Sequence, residues 1–399
     1  MNDGGPDHDV LADAKKLQPL LTRLRRSLHR CPELAFHEHQ TAGIIIEQLT
    51  KRDIPYDYGG EGQGVVGRLN CGDSDAPTIA LRAEMDALPG EEHTGLVFSS
   101  QNKGRVHACG HDAHMAMLVG AAILLQQQPV AINTLLVFQP AEESGGGSRT
   151  VIETGLLDNV RAIFAGHVTH HYSLGEIMLG QGVVTAQSDR FEIRIQGKGG
   201  HGARPHEATD AVVIAASLVN TIQTLVAREV DPLHPAVVTI GEVHAGSAAN
   251  VIAEEAVLSG SIRTTLSATR DRIHHGLQRM VSAFSALHDA RVTMQITAGY
   301  PPVVNTEAEV ELARKAAEQV VGQQGVKIMD YPSMGSEDFS FYLQKMPGCY
   351  VRFGARQKDQ RFVPLHSPEF DIDEQVLPVG AAFFSQIARQ AETLYQHRR

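Results

Sequence analysis

The sequence predicts an α/β protein of two domains, in which a smaller ferredoxin-like domain is inserted into a larger one. Its 399 residues exceed one ordinary domain. Short apolar runs alternate with helical stripes in residues 1–186 and again in 299–399, which is typical of an α/β sheet flanked by helices. Between them, residues 187–298 show the order βαββαβ of a small sandwich.

The elements of the larger domain follow from local patterns. A leucine stripe predicts a first helix over Val10–His29, which ends before Pro32, and Pro19 marks either a kink or the true start of that helix. The remaining elements before the insertion are a helix over 42–49, strands over 64–69 and 78–85, a helix over 113–127, and strands over 135–138 and 161–165.

The pattern changes near Asp189, where apolar and polar residues begin to alternate as in a half-buried strand. The glycine-rich turn 197–202 follows and contains His201. Pro301-Pro302 marks the return to the larger domain. The insertion is predicted to contain helices over 208–228 and 269–287 and strands over 236–243, 256–263 and 292–297. After the insertion, the larger domain is predicted to contain helices over 307–321 and 337–344, a strand over 350–353 and a helix from 374.

The composition excludes several classes of protein. Hydrophobic residues make up 42% and charged residues 20%, as in a soluble globular protein. A net charge of −11 argues against nucleic acid or an anionic membrane as the main partner. The longest apolar run, near 116–125, is too short to span a membrane, and the acidic first residues do not resemble a secretory signal. Four scattered cysteines, Cys31, Cys71, Cys109 and Cys349, predict no disulfide scaffold and favour the reducing cytoplasm.

The segment Val106–His114 concentrates three histidines, one cysteine and one aspartate. Gly110 allows a tight turn that aims Cys109 and His111 at a common point. Thiolate and imidazole are ligands that suit zinc. A helix that begins here with Asp112 as its N-cap would explain the same residues without a metal.

Three successive predicted strands end at groups that could bind a metal. Asp86 follows the strand over 78–85, Glu142-Glu143 follow the strand over 135–138, and His167 follows the strand over 161–165. Adjacent buried carboxylates are costly unless a cation neutralises them, whereas a solvated acidic turn would need none. Three such strand ends in a row favour a metal site over coincidence.

These residues belong to a series of motifs that resembles a known family. In order, the chain shows Arg26-Ser-Leu-His-Arg-Cys-Pro-Glu-Leu, Arg82-Ala-Glu-Met-Asp-Ala-Leu-Pro, His107-Ala-Cys-Gly-His-Asp, Phe138-Gln-Pro-Ala-Glu-Glu, Gly166-His-Val, Gly199-Gly-His-Gly-Ala-Arg-Pro-His, Ser336-Glu-Asp-Phe and Leu365-His-Ser-Pro-Glu-Phe. The series resembles the two-metal peptidase family that contains the aminoacylases. It is most similar to the amidohydrolase branch, with hippurate hydrolase, N-acyl-amino-acid amidohydrolases and plant auxin-conjugate hydrolases.

The resemblance implies a catalytic domain with two divalent metal ions, zinc, manganese or cobalt, and a lid that usually also forms a homodimer. Glu142 matches the general base, and Asp86 matches a carboxylate that orients a liganding imidazole. Cys109 stands where relatives outside this branch use a bridging aspartate. One metal would have His111 and His167, and the other Glu143 and His366. The implied ligand set is Cys109, His111, Glu143, His167 and His366.

Three lid residues match further family positions. His201 would reach the oxyanion from the opposite subunit, although a glycine-loop histidine more commonly has only a packing role. Asn250 and Arg263 would hold the substrate's carboxylate, although an arginine at a strand end is more commonly a solvated edge residue. The chain departs from the branch pattern at Glu84, where aspartate is usual, and at His170, where proline is common. Either departure would reshape only the rim of the pocket.

The function that this pattern predicts is metal-dependent hydrolysis of an N-acyl-L-amino acid to a carboxylic acid and a free amino acid. A metal-activated water would be the nucleophile, with Glu142 as its base. A dipeptidase or carboxypeptidase of the same fold is the nearest alternative. A hydrolase with Cys109 as nucleophile and His111 as base would leave Glu142-Glu143 unexplained. A non-catalytic metal-binding protein would be expected to lack Glu142.

Overall fold

The computed structural model describes residues 9–60, 62–69 and 76–396. The chain forms two compact units: unit 1 comprises Met1–Val184, Val304–Tyr331 and Asp338–Arg399, and unit 2 comprises Thr185–Val303 and Pro332–Glu337. The short segment Pro332–Glu337 therefore belongs to unit 2, although the sequence predicts it within the larger domain. Cys71 and the first eight residues lie outside the described residues.

Unit 1 contains an eight-stranded mixed sheet. Its central strands pair in parallel, and the strand Thr78–Glu84 is buried along nearly its whole length, as expected for a sheet covered on both faces. From one edge to the other the strands are Tyr56–Tyr58, Val65–Leu69, Asn133–Gln139, Thr78–Glu84, Val160–Ser173, Gly348–Arg356, Ile177–Leu179 and Val326–Ile328. Two-stranded pairs join Leu88–Pro89 to Arg105–Val106 and Gly182–Val183 to Val304–Asn305.

Helices cover this sheet. His111–Gln127 is buried on almost every side because it packs on the sheet and against the helices Gln18–Arg30 and Val376–Gln396. Such a helix needs apolar residues all round, which explains its weak amphipathic pattern. The other helices of unit 1 are Val10–Lys16, His39–Thr50, Gly147–Glu153, Glu307–Gly325 and Ser340–Leu343.

Most predicted elements of unit 1 are present, and the differences concern their ends. Pro19 lies in the first turn of Gln18–Arg30, so it marks a new helix start. The strand Val160–Ser173 continues well past Ala165, and His167 therefore lies inside a strand rather than at its end. The helix expected over 337–344 is reduced to Ser340–Leu343.

Unit 2 is a four-stranded antiparallel sheet with two helices, the ferredoxin-like arrangement predicted from βαββαβ. The strand order is Ala236–Ala245, Glu255–Thr264, Gln187–Gln196, Arg291–Ala298, and the helices are Ala211–Glu229 and Ser267–His288. A small pair, Gly200–His201 with Val251–Ile252, and the 3₁₀ turn Pro205–Glu207 complete the unit. The mixed α/β, two-unit fold confirms the predicted fold class.

The expectation that no segment reaches membrane-spanning length was wrong for one helix. Ala211–Glu229 is long and apolar enough by length and composition. Its apolar stripe, which includes Ile214, Leu218 and Ile222, is buried in the core of unit 2. A core helix passes the same test, so this single helix is weak evidence for a membrane span.

Candidate metal centre

A tight turn places Cys109 and His111 beside the sheet. Gly110 has φ +89°, a left-handed conformation that favours glycine, and the helix begins directly after it at His111. A Cβ atom at Gly110 would lie 2.3 Å from Cγ2 of Val168, so the turn also needs glycine for its close approach to the strand. The helix start expected from the sequence exists, but Asp112 is not its N-cap.

Hydrogen bonds to backbone carbonyls fix the orientation of two imidazoles. His111 Nδ1 lies 2.8 Å from the carbonyl oxygen of Asp86, and His167 Nδ1 lies 2.6 Å from that of Val168. Because a carbonyl oxygen only accepts, each Nδ1 carries the hydrogen and donates it. When such a ring is neutral, Nε2 therefore carries the lone pair, which is the form that binds a metal.

The structure brings five potential ligands together, which we call the donor cluster: Cys109, His111, Glu143, His167 and His366. One atom from each of Cys109, His111 and His167 lies within 4.8 Å of the others, and the same holds for Cys109, Glu143 and His366. Cys109 Sγ is 3.2 Å from His167 Nε2, and Glu143 Oε1 is 3.3 Å from His366 Nε2. Cys109 is thus common to two triads of ligand atoms.

The two glutamates follow the buried strand Asn133–Gln139 at the rim of the sheet. Glu142 is buried, and one of its carboxylate oxygens groups within 4.8 Å with atoms of His111 and Glu143. The backbone N–H of Glu143 donates to Asp86 Oδ2 at 2.9 Å. Asp86 therefore fixes Glu143 through its carboxylate and His111 through its carbonyl oxygen.

His366 reaches the cluster from an irregular loop. Its backbone has φ +67°, which is uncommon for a residue other than glycine, and its N–H donates to the carbonyl oxygen of Ala108 at 2.8 Å. The side chain remains 54% exposed, more than any other member of the donor cluster. Strained backbone at such a position is typical of a functional site.

The electrostatics of the donor cluster favour a cation. Burial and the charges of Glu143 and Glu142 raise the pKa of Cys109 well above its usual value. Burial lowers the pKa of His111, but Asp86 and Glu84 outweigh it and raise that pKa to about 10. Burial also holds the pKa of His167 well below its usual value, which keeps this ring neutral.

An unpartnered atom agrees with these shifts. His111 Nε2 is buried without a hydrogen-bond partner among the described residues, and it lies 4.0 Å from Glu143 Oε1. A buried thiolate and carboxylates repel each other unless positive charge lies between them, and a divalent ion would supply that charge. The donor set of sulfur, nitrogen and oxygen atoms therefore fits transition-metal ions.

A second buried polar group lies next to these residues in unit 1, and we call it the arginine network: Arg82, Glu84, His114, Gln139 and Asp338. Arg82 is completely buried; it contacts Glu84 and donates to Gln139 Oε1 and Asp338 Oδ1, both at 2.8 Å. His114 donates from Nδ1 to Glu84 Oε2 at 2.8 Å and accepts the N–H of Val168 at Nε2. The sequence alone indicates no role for Arg82 or Asp338.

Both departures from the branch pattern have structural explanations. Glu84 is fully buried in the arginine network, so the expectation that it would reshape only a pocket rim was wrong. His170 is also buried: its Nε2 lies 2.8 Å from the carbonyl oxygen of Asp371, and its Nδ1 accepts the N–H of Val363 at 3.1 Å. His170 thereby anchors the loop that leads to His366.

The three predicted lid residues lie in unit 2. The pairing of His201 with Val251 brings His201 next to Asn250, whose carbonyl oxygen accepts the N–H of Gly202 at 2.9 Å. Ala203 N–H donates to His201 Nδ1 at 3.0 Å, so the neutral ring carries its hydrogen on Nε2. Arg263 is half-buried near the end of the strand Glu255–Thr264, and it donates to the carbonyl oxygen of Met334 at 3.0 Å.

An α/β fold with a largely buried donor cluster of sulfur, nitrogen and carboxylate oxygen atoms is suited to a metal-dependent hydrolase. Comparison with known proteins identifies the family: residues 80–390 match the family described as Peptidase family M20/M25/M40. The chain belongs to this family, and it is a metal-dependent hydrolase, as the sequence analysis predicted.

Three similar proteins illustrate the range of the family. N-acetyl-L-cysteine deacetylase of Bacillus subtilis is 37% identical, with 94% of this chain and 88% of the relative covered. Thermostable carboxypeptidase 1 of Saccharolobus solfataricus is 36% identical, with 94% and 96% covered. The crystal structure of the Bacillus subtilis YXEP protein, described as a dinuclear metal binding peptidase, is 32% identical with a TM-score of 0.79, and 94% of this chain and 98% of that chain are covered.

Proposed function

We propose that this protein is a dinuclear metal-dependent amidohydrolase that cleaves N-acyl-L-amino acids to a carboxylic acid and a free amino acid. The observation that carries the proposal is the pair of ligand triads that share Cys109, with the buried carboxylate of Glu142 beside them. The relative that deacetylates N-acetyl-L-cysteine supports the substrate class, since its substrate is an N-acyl amino acid.

In this proposal the two triads that contain Cys109, as a thiolate, would each hold one divalent cation. His111 and His167 complete one triad, and Glu143 and His366 complete the other. Zinc, manganese and cobalt all accept such sulfur, nitrogen and oxygen ligands. When bound, the cations supply positive charge that polarises the amide carbonyl and lowers the pKa of water to around 7.

Glu142 is proposed as the general base, because it is buried beside the ligands without belonging to either triad. Its carboxylate takes the proton from the attacking water and later gives it to the leaving nitrogen. The hydrogen bond from Glu143 N–H to Asp86 holds the neighbouring backbone, so that the two adjacent side chains keep different tasks.

The residues of unit 2 are proposed to bind the substrate. His201 has its Nε2–H available as a donor, which suits the oxyanion of a tetrahedral intermediate. Asn250 and the planar guanidinium of Arg263 would hold the free carboxylate of the amino acid. We propose that His201 acts on the site of the opposite subunit in a homodimer.

Mixed dimers test this sharing. The variants His201→Ala and Glu142→Gln are each expected to be inactive alone. Mixed with each other, they should recover part of the activity, because one composite site of the mixed dimer contains both native residues. Verified mixed dimers without recovery would contradict a shared site.

A substrate panel tests the reaction itself. N-acetyl, N-benzoyl and indole-acetyl amino acids and a set of dipeptides would be assayed after reconstitution with zinc, manganese or cobalt. We expect the N-acyl amino acids to give the highest kcat/KM. The 36% identity to a carboxypeptidase favours a second candidate, peptide hydrolysis, and a preference for peptides would replace our proposal by it.

We further propose that the protein acts in the cytoplasm on small molecules, without nucleic acid or membrane as a partner. The described cysteines, Cys31, Cys109 and Cys349, are free, which suits a reducing compartment. The net charge of −11 disfavours binding to polyanions. Cell fractionation and a nucleic-acid binding assay would test these points.

A further inference from the structure

Glu38 is a buried carboxylate that the proposed chemistry does not use. It is only 5% exposed, and it occupies the N-cap position of the helix His39–Thr50 without capping it by its side chain. Glu33 caps this helix instead, because its carboxylate accepts hydrogen bonds from the N–H groups of Gln40 and Thr41 at 3.1 and 2.9 Å. The carboxylate of Glu38 must therefore be buried for another reason, because burial of a charged group is unfavourable without a specific partner.

Its partner is the turn that carries the proposed general base. Glu38 Oε1 accepts the backbone N–H of Ala141 at 2.8 Å, across 103 positions of sequence. Ala141 has φ +52°, a left-handed conformation in which a residue with a Cβ is strained. Asp86 accepts the N–H of Glu143 on the other side. Two buried carboxylates thus hold the amides on either side of Glu142.

The segment that presents Glu38 is itself fixed to the same part of unit 1. Ala87 N–H donates to the carbonyl oxygen of Glu33 at 2.8 Å, and Leu34 forms a β-bridge with Ala87. The ring of Phe36 fills the space beside Gly145, where an added Cβ would lie 2.4 Å from it. Residues 33–38 therefore form a frame that contacts both the Asp86 segment and the turn 141–145.

A carboxyl group suits this task because its oxygens accept hydrogen bonds in either protonation state, and most strongly when the group is ionised. Burial and the charge of Asp86 raise the pKa of Glu38 to about 7. The contact with Ala141 needs only one acceptor oxygen, which a protonated carboxyl group also provides. An amide in the same place should therefore preserve most of the effect.

We propose that Glu38 is a positioning residue, which holds Ala141 in its strained conformation and thereby aims the carboxylate of Glu142 at the attacking water. The inference rests on the proposed role of Glu142 as general base. Glu38 itself touches neither substrate nor metal in this account. Its effect should therefore appear in kcat, because a misplacement of about 1 Å costs on the order of 100-fold.

The test compares Glu38→Ala with Glu38→Gln. Glu38→Ala removes the acceptor for Ala141, and kcat should fall on the order of 10- to 100-fold at unchanged KM and metal content. Glu38→Gln keeps a carbonyl acceptor and should retain most of kcat. Glu309→Ala is the matched control: it removes an equally buried carboxylate that accepts hydrogen bonds from Thr306 and Tyr395, and it should lower the unfolding midpoint without changing kcat.

Hydrogen exchange of the peptide covering residues 138–144 gives a readout that does not depend on activity. It should be faster in Glu38→Ala and unchanged in Glu38→Gln. If Glu38→Ala does not fold, Glu38→Leu fills the same volume without an acceptor. Any of three results would overturn the proposal: wild-type kcat in the variant without an acceptor, equal losses of kcat in Glu38→Ala and Glu38→Gln, or unchanged hydrogen exchange in Glu38→Ala. If the wild type does not hydrolyse N-acyl amino acids but Glu38→Ala still exchanges faster than the wild type, the result contradicts the proposed function and not the contact between Glu38 and Ala141.

Discussion

The donor cluster and the arginine network are both largely buried polar groups of unit 1, but they balance their charges differently. In the arginine network Arg82 contacts Glu84 and Asp338, and His114 supports Glu84. Burial alone would raise the pKa of Glu84, but Arg82 and His114 keep it well below its usual value. The chain thus supplies its own cation there.

Among the described residues the donor cluster contains no arginine or lysine, and the positive charge that its surroundings favour falls on His111, a ring that binds a metal only when it is neutral. Its thiol has a raised pKa, and one of its imidazoles ends in a buried, unpartnered Nε2. A group of ligands whose charge the chain does not neutralise is suited to binding a metal ion. A group whose charges the chain neutralises itself is suited to stabilising the fold. The following predictions test this distinction, from the largest expected effect to the smallest.

Glu142→Gln should reduce kcat by about 10²- to 10⁴-fold, because the amide cannot accept the proton of water. Metal content should stay at the wild-type value, since Glu142 belongs to neither triad that contains Cys109. Steady-state kinetics and elemental analysis of the same preparation measure both. Appreciable residual turnover would mean that another group handles the proton.

Arg82→Met should lower the free energy of unfolding by about 3–5 kcal/mol, because it leaves two carboxylates buried without their cation. Denaturant unfolding measures the change. Arg314→Met is the control: Arg314 pairs with Glu311 and Glu318 on the surface, and its loss should cost less than about 1 kcal/mol. Equal effects of the two variants would show that Arg82 is not a structural cation.

His29 should make stability depend on pH. Burial lowers its pKa, but hydrogen bonds with Asp112 and Glu92 outweigh this and raise the pKa to about 9. A raised pKa stabilises the fold below about pH 6.5, and this contribution of about 3 kcal/mol at most is lost as pH rises through 9. Unfolding midpoints between pH 6 and 10 should decline less in His29→Gln. Parallel curves for the two proteins would refute the assignment.

Asp86→Ala should weaken metal binding by about 10- to 100-fold. The backbone N–H of Glu143 would lose its acceptor, and His111 would lose a nearby carboxylate. Titration of the metal-free protein measures the affinity. Asp189→Asn, which changes a carboxylate paired with Arg270 in unit 2, should leave it unchanged. An effect of the same size in both would point to general destabilisation.

The fold was largely predictable because its elements have strong local patterns. The alternation around Phe191 and the apolar stretch of His111–Gln127 each indicate their element without tertiary information. The strand Val160–Ser173 was predicted too short, because its second half contains Thr169 and His170. Tertiary packing buries these polar residues, and no local pattern reports that.

The donor cluster was predicted from the resemblance of its motifs, since ligand residues are rare and stand at characteristic spacings. Its supports were not predicted. Glu38 and Arg82 look like surface charges in the sequence, and their partners Ala141 and Asp338 lie 103 and 256 positions away. A buried charge is recognisable only from its partner, and a single sequence does not reveal that pairing.

Elemental analysis of the reconstituted protein tests the central claim most directly. After removal of its metal and reconstitution with zinc, manganese or cobalt, the wild-type chain should bind two ions. Cys109→Ala, which removes the atom common to both triads, should bind fewer. A wild-type chain that binds at most one ion under all these conditions would contradict the account.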